Sequence, residues 1–191
     1  LVGSEMCIRD RYKMDLALLE RIRDEGLLVR RINIRQVIGS RRPFDVKVSE
    51  KRFRKFKETV REEIDHPMLE RLVPIGTVLR GVYAEIHDGN ITFGRQPGSY
   101  PLLVGIPYKV DLDRSYDVYV TEWGFRSVTG VTYPFEINRM PMSSLASLPG
   151  IGKKRAAAIA AARPFGSLED LGKVVEDPRV VEGLRGIVTF N

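Results

Sequence analysis

The chain has 191 residues, 43% of them hydrophobic and 29% charged, and its formal net charge is +6. This length accommodates one medium domain or two small ones, and the composition supports a packed core, which excludes wholesale disorder. A single cysteine excludes a disulfide framework and a cysteine-ligated zinc or iron–sulfur site within this chain. No apolar run approaches the ~20 residues of a membrane span. The excess of basic residues favours a polyanionic partner.

Residues 1–12 read as foreign to the rest of the chain. The run LVGSEMCIRDRY resembles the in-frame translation of a sequencing adapter, and it lacks the apolar stretch of a signal peptide. We therefore expect a tail without a native role here, which also places Cys7 outside the native part. The expected compartment is the cytoplasm.

Residues 13–45 combine a helical pattern with a strand pattern. Apolar side chains at helical spacing predict an amphipathic helix over residues 15–24, with Gly26 as its C-terminal cap. The run 27–37, LLVRRINIRQV, predicts a strand because Ile32 and Ile34 alternate with polar side chains. The polar positions of this alternation are Arg31, Asn33 and Arg35. A helix followed by such a strand is typical of the closing piece of an α/β unit.

Residues 46–73 predict linker helices. Ser49 is a suitable N-cap, and four apolar residues at spacings of three and four form one stripe: Phe53, Phe56, Val60 and Ile64. Pro67 is expected to end this helix near Asp65, and a short helix over residues 68–72 to follow. Residues 21–61 hold 14 Lys and Arg against 5 Asp and Glu, which fits either a solvated helix face or a surface that follows a phosphate backbone.

Residues 74–138 alternate short β-type runs with turn residues. The predicted strands are 76–86, 91–94, 102–106, 116–124 and 127–134, and the Asp88-Gly89-Asn90 turn joins the first two. Five short strands of this kind predict a small barrel of the OB type, an architecture typical of binding modules. Basic and aromatic side chains that offer contacts to a nucleic-acid strand are Arg80, Arg95, Arg126, Tyr83, Tyr100, Tyr119 and Trp123. The alternative for most of these aromatic residues is the barrel core.

Residues 139–191 predict a helical segment whose sharpest feature is the run 145–155, LASLPGIGKKR. Two glycines permit a tight turn and a close approach to a ligand, and the first N–H groups of the following helix have no partner within it. With the helix dipole and three cations they form a site for a phosphate oxygen of nucleic acid. The alternative is a purely structural hairpin. The candidate binding residues are Gly150, Ile151, Gly152, Lys153, Lys154 and Arg155.

Two of these segments resemble known nucleic-acid-binding modules. The Pro-Gly-Ile-Gly turn with its basic helix, together with the S-x-x-D-L run at 167–171, is similar to the helix-hairpin-helix motif. The barrel pattern Gly-x-Val-Leu-x-Gly-Val, then Phe-Gly-Arg-Gln and Tyr-Asp-Val-Tyr-Val-Thr, resembles the TRAM barrel, a module attached to RNA-modifying enzymes. The hairpin favours DNA and the barrel favours RNA, so the choice between them stays open.

The order of these parts over residues 13–191 resembles the C-terminal part of a radical SAM family, known from archaea, that carries a C-terminal helix-hairpin-helix motif. The resemblance implies that RINIRQV is the last strand of the radical SAM barrel, with Asn33 and Arg35 facing the nucleoside cofactor or, alternatively, solvent. It implies a [4Fe–4S] cluster and S-adenosylmethionine for the full-length parent. The CxxxCxxC loop that ligates the cluster is absent here, so we expect no cofactor, metal or catalytic residue in this chain.

The fold class expected from all segments is α+β: a helix and strand of a larger barrel, linker helices, a five-stranded OB/TRAM-like barrel and a helix-hairpin-helix. The expected function is the nucleic-acid-binding part of a radical SAM enzyme, with RNA or DNA as partner and no membrane. One alternative is a stand-alone, non-enzymatic DNA- or RNA-binding protein. Another is a protein-interaction scaffold with incidental basic charge, which would not bind nucleic acid at ~150 mM salt.

Overall fold

The computed structural model describes residues 5–29, 32–35, 49–98 and 101–191, with side chains from residue 10 onward. These residues form two compact units, Leu1–Leu72 and Val73–Asn191, which we call the first and second unit. The predicted barrel and the predicted helical segment both lie in the second unit. The predictions on Arg31 and Tyr100 fall outside the described residues.

The first helix, α1, spans Glu5–Asp24 and therefore begins ten residues before the predicted helix, inside the segment expected to be a foreign tail. Its C-terminal end is closed as predicted by Gly26, whose φ is +78°. The N–H of Gly26 donates to Arg23 O at 3.0 Å and the N–H of Leu27 donates to Ile22 O at 3.1 Å. This pair of hydrogen bonds is a Schellman motif, which satisfies carbonyl groups that the helix end would leave open.

The predicted strand over residues 27–37 is wrong for its described part. Residues 27–29 and 32–35 have no regular secondary structure and pair with no strand among the described residues. The alternation itself is real, because Ile32 and Ile34 are half-buried while Asn33 and Arg35 are exposed. Both isoleucines pack on a helical cluster, so a strand-like pattern arises here without a sheet.

Helix α2 spans Glu50–Val60, a π-helical turn follows over Arg61–Asp65, and α3 spans His66–Leu72. Ser49 caps α2 as predicted, by accepting a hydrogen bond from the N–H of Arg52 at 3.5 Å. The helical run continues past Asp65, which corrects the prediction that it ends there. Pro67 has no N–H to offer the carbonyl of Glu63, and that carbonyl accepts instead from Arg23 Nη1 at 2.9 Å. The π-helical turn lets the helical run pass through the proline.

The core of the first unit lies between these helices. Three residues at its centre are fully or almost fully buried: Val60, Ile64 and Met68. Partly buried side chains of α1, α2 and the irregular segment pack against them: Leu16, Leu19, Ile32, Ile34 and Phe56. The ring of Tyr12 stacks on Phe56 with a centroid separation of 4.5 Å, so α1 contributes an aromatic contact from within the segment expected to be foreign.

The second unit contains the predicted barrel. Its strands are β1 (Val78–Asp88), β2 (Ile91–Arg95), β3 (Leu103–Ile106), β4 (Ser115–Trp123) and β5 (Ser127–Tyr133). They close in the order β1-β2-β3-β5-β4, with β3 parallel to β5 and the other neighbours antiparallel. The expected α+β fold with a small OB/TRAM-like five-stranded barrel is thus confirmed.

The connection from β3 to β4 is hydrogen-bonded to β2 and β5 of this barrel. Tyr108 is 2% exposed, and its hydroxyl accepts the N–H of Thr132 at 2.8 Å and lies 2.8 Å from Thr132 Oγ1. Burial raises the pKa of the Tyr108 phenol. The Thr92 hydroxyl donates to Tyr108 O at 2.8 Å and accepts the N–H of Val110 at 3.1 Å. Every polar atom in this set has a partner, which is what burial requires.

The remainder of the second unit is mostly helical. It contains β6 (Phe135–Glu136), α4 (Met142–Leu145), α5 (Gly152–Ala162), α6 (Leu168–Val175), α7 (Pro178–Leu184) and β7 (Val188–Thr189). β6 lies inside the range predicted for the barrel, yet its partner is β7, in parallel register. The side chain of Asn138 ties the same region together, donating to Phe165 O and Phe190 O and accepting from Phe165 N. Among the described helices, none is long and apolar enough to cross a membrane.

Candidate nucleic-acid interface

The turn between α4 and α5 is held by apolar anchors. Leu145, Leu148 and Ile151 are each no more than 3% exposed, and the N–H of Ile151 donates to Leu148 O at 3.1 Å. Ile151, predicted as a binding residue, therefore contributes by fixing the turn from inside. The turn presents its backbone rather than its apolar side chains to solvent.

The two glycines of the turn have the same backbone conformation but different surroundings. The φ angles of Gly150 and Gly152 are +74° and +59°, which is the left-handed region that favours glycine. A Cβ on Gly150 would lie 2.7 Å from Val180 Cγ2, whereas a Cβ on Gly152 would meet nothing within 4 Å. Gly150 is thus required by packing, and Gly152 stands at an open, solvent-facing position.

The N-terminus of α5 differs from those of the next two helices. Ser167 caps α6 by accepting from Asp170 N at 3.2 Å, and Asp177 caps α7 by accepting from Arg179 N and Val180 N. The N-cap of α5 is Ile151, and no side chain caps that helix. Because the first N–H groups of a helix have no partner within it, the exposed start of α5 is open to an anion from solvent.

Two of the three predicted cations stand at this open helix end. Lys153 and Lys154 are exposed and, within the described part of the chain, make no ion pair or hydrogen bond. Arg155 has a different place. Its Nη1 donates to Gly150 O at 2.7 Å and its Nη2 donates to Asp177 Oδ2 at 2.9 Å, so it joins the turn to the start of α7.

Most of the predicted barrel contacts are engaged within the barrel. Arg80 pairs with Asp117 and lies over the Tyr133 ring at 5.5 Å, and Arg95 pairs with Glu85. Trp123 Nε1 donates to Val73 O at 2.7 Å. Tyr119 is half-buried, and its hydroxyl lies next to Gly76. These side chains stabilise the barrel, although Arg80 keeps 69% of its side chain exposed.

Sequence reasoning missed Phe125. This residue lies in the turn between β4 and β5 and is 64% exposed, next to Arg126, which is half-buried. The available signal was a lone aromatic residue in a Gly-Phe-Arg turn between two strand patterns. Tyr83 on β1 is 40% exposed, and its hydroxyl donates to Asp113 Oδ1 at 3.1 Å. Among the barrel residues that the structure describes, Phe125 and Tyr83 are the aromatic side chains with the greatest exposure.

The residues expected to face a cofactor are not brought together with other functional groups. Asn33 and Arg35 are exposed on the irregular segment of the first unit, and their predicted role stays untested. Within the described residues, no group of three or more His, Cys, Asp or Glu side chains is placed to hold a metal ion.

Two archaeal proteins are similar in sequence to this chain. An uncharacterized protein of Methanocaldococcus jannaschii is 46% identical over 135 residues, which are 64% of this chain and 24% of that protein. An uncharacterized protein of Archaeoglobus fulgidus is 33% identical over 182 residues, which are 90% of this chain and 33% of that protein. The chain spans about a quarter to a third of the length of these curated relatives. No family model matches the chain, and no solved structure matches it.

Proposed function

We propose that this chain is the nucleic-acid-binding part of a longer protein and that the turn between α4 and α5 holds a phosphate of the nucleic-acid backbone. The observation that carries the proposal is the uncapped start of α5, with Gly152 open to solvent and Lys153 and Lys154 exposed beside it. Amide donors, helix dipole and ammonium groups all attract the same kind of anion. This arrangement agrees with the helix-hairpin-helix resemblance of the run.

The barrel supplies the second contact in this proposal. Phe125, exposed at the tip of the β4–β5 turn, offers a face on which an unpaired base stacks, an interaction worth about 1–3 kcal/mol per base. Such stacking tolerates any base, and phosphate contacts carry no sequence information. The proposed binding is therefore salt-dependent and only weakly sequence-selective.

The parent of this part, on the radical SAM resemblance, is an enzyme whose cluster and S-adenosylmethionine lie in a region outside this chain. The two relatives are three to four times as long as the regions that match this chain, which supports a parent protein with further regions. In that setting the present chain binds and positions a nucleic-acid substrate. A stand-alone binding protein without an enzymatic region is the alternative, and both assign the same contacts to the turn and the barrel.

The test neutralises the two open cations. We expect the double variant Lys153→Gln, Lys154→Gln to bind a fluorescein-labelled single-stranded RNA or DNA with an affinity about 3- to 10-fold lower at ~50 mM salt, because two phosphate contacts are removed. The magnitude of the slope of log K against log salt should fall by about 1.5. Fluorescence anisotropy titrations from ~50 to ~200 mM salt measure both quantities.

The matched control is Lys173→Gln, Arg185→Gln, which removes the same charge from α6 and from the residue after α7. Lys173 pairs with Asp170 and Arg185 pairs with Glu182, so we expect this variant to bind within about twofold of the unaltered chain. An equal loss of affinity in both variants would show that binding depends on net charge and not on Lys153 and Lys154. An unaltered chain that binds neither RNA nor DNA at ~150 mM salt would refute the proposed function.

A further inference from the structure

The solvent side of α2 and its π-helical extension carries a dense cluster of cations in the first unit. The α2 cationic face consists of Lys51, Arg54, Lys55, Lys57 and Arg61. Lys51, Arg54 and Lys55 are exposed, and the other two are half-buried. Spacings of three, four and seven connect Lys51 to Arg54 and Lys55, and Arg54 to Lys57 and Arg61, so the five cations spread over about half of the helix circumference.

Neighbouring carboxylates do not neutralise these cations. Within the described residues none of the five makes an ion pair, although Glu50 and Glu58 lie on the same helix. The arginines of α1 differ, because Arg21 pairs with Glu25 at 3.2 Å and Arg23 pairs with Asp24 at 2.9 Å. The α2 cationic face therefore keeps the positive charge of its five side chains without a paired carboxylate among the described residues.

The apolar residues of α2 limit the kind of partner that the α2 cationic face can bind. Phe56 and Val60 pack into the core of the first unit, so the helix has no apolar side left to insert into a membrane, as an interfacial helix requires. Lys57 Nζ lies 5.5 Å from the centroid of the Phe53 ring, which restricts that side chain. Arg54 and Arg61 are separated by about 10 Å along the helix axis, roughly three nucleotides of one strand at ~3.4 Å each.

We propose that the α2 cationic face is a second binding surface for the phosphate backbone of the nucleic acid that this chain binds. The inference rests on the proposed function for its ligand, but it uses a different unit and different residues. The added surface contributes affinity and salt dependence without sequence preference.

The test is the triple variant Lys51→Gln, Arg54→Gln, Lys55→Gln in the full chain. These side chains are exposed, so the melting temperature should stay unchanged. Binding to a ~20-nucleotide labelled RNA or DNA should weaken about tenfold at ~50 mM salt, and the magnitude of the salt slope should fall by about 2, as expected for three lost phosphate contacts.

The control removes three paired cations of the second unit, in Arg114→Gln, Arg139→Gln, Arg185→Gln. An affinity and salt slope unchanged in the triple variant, or an equal loss in the control, would overturn the inference. If the double variant at Lys153 and Lys154 then still loses affinity, the proposed function stands without it. Loss in the triple variant of binding to phosphatidylserine-containing vesicles, with RNA and DNA binding intact, would reassign the face to a membrane surface.

Discussion

At the scale of single residues, Gly150 is the position of the α4–α5 turn where packing demands glycine. An added Cβ would lie 2.7 Å from Val180 Cγ2 and 3.1 Å from Cγ1, at a φ of +74°. We expect Gly150→Ala to lower the free energy of unfolding by about 1–3 kcal/mol, because overpacking and left-handed strain act together. Urea unfolding followed by circular dichroism measures this change.

Two companion variants separate the causes of that loss. Gly152→Ala meets open space at a φ of +59° and should cost only the strain, about 1 kcal/mol. In a Val180→Ala background, which lacks the two Cγ atoms, Gly150→Ala should cost about as little. If Gly150→Ala lowers the free energy of unfolding equally with Val or Ala at position 180, the contact with Val180 is not the reason for the glycine.

At the scale of elements, the β3–β4 connection is held to the barrel by Tyr108. Its hydroxyl satisfies the buried N–H of Thr132, so Tyr108→Phe leaves that donor without a partner. We expect a loss of about 1–3 kcal/mol in the free energy of unfolding. The control is Tyr116→Phe, whose hydroxyl donates to Asp111 O at 3.2 Å at an exposed site and should cost less than about 0.5 kcal/mol. Equal losses would contradict the role given to Tyr108.

The barrel could be predicted because its strands carry local signals. β-type residues and the Asp-Gly turn mark β1 and β2 in the sequence, and the predicted ranges differ from the strands by a few residues at most. β6 pairs with a partner more than fifty residues away, and both strands are two residues long. No periodicity exists in two residues, so this pairing depends on tertiary contacts alone.

The first unit shows where local pattern misleads. The alternation at Ile32 and Ile34 predicted a strand, but helical side chains bury both isoleucines. Pro67 predicted a helix end, but the π-helical turn before it and the Arg23 guanidinium on Glu63 O remove the penalty. The three cations near α5 could likewise be identified from the sequence. That Arg155 is held by Asp177 while Lys153 and Lys154 are not could not, because only the fold brings Asp177 to Arg155.

At the scale of the whole molecule, the charged residues form two sets: those held in contacts within the fold, and the cations that we propose for nucleic-acid binding. Four accessible carboxylates of the second unit accept hydrogen bonds that hold their pKa values below the ordinary range: Asp117, Asp170, Asp177 and Glu182. For Asp117 the main cause is the Arg80 guanidinium, and for Asp177 it is the N–H of Val180, followed by Arg155. The cations that we propose for nucleic-acid binding are not the partners of these carboxylates, so the two sets of charges are separate.

This division predicts how the fold responds to acid. A carboxylate with a lowered pKa in the folded state contributes stability above its unfolded pKa, about 3.9 for Asp, and that stability is lost as pH falls through the folded value. We therefore expect a melting temperature that is nearly constant from pH ~7 to ~5 and falls below pH ~4. Since these groups are accessible, ~1 M salt should reduce the fall, and Asp177→Asn should shrink it by removing one titrating cap. Melting curves followed by circular dichroism test this, and a decline that begins between pH ~7 and ~5 would point to other groups, since no carboxylate with a lowered pKa titrates in that range.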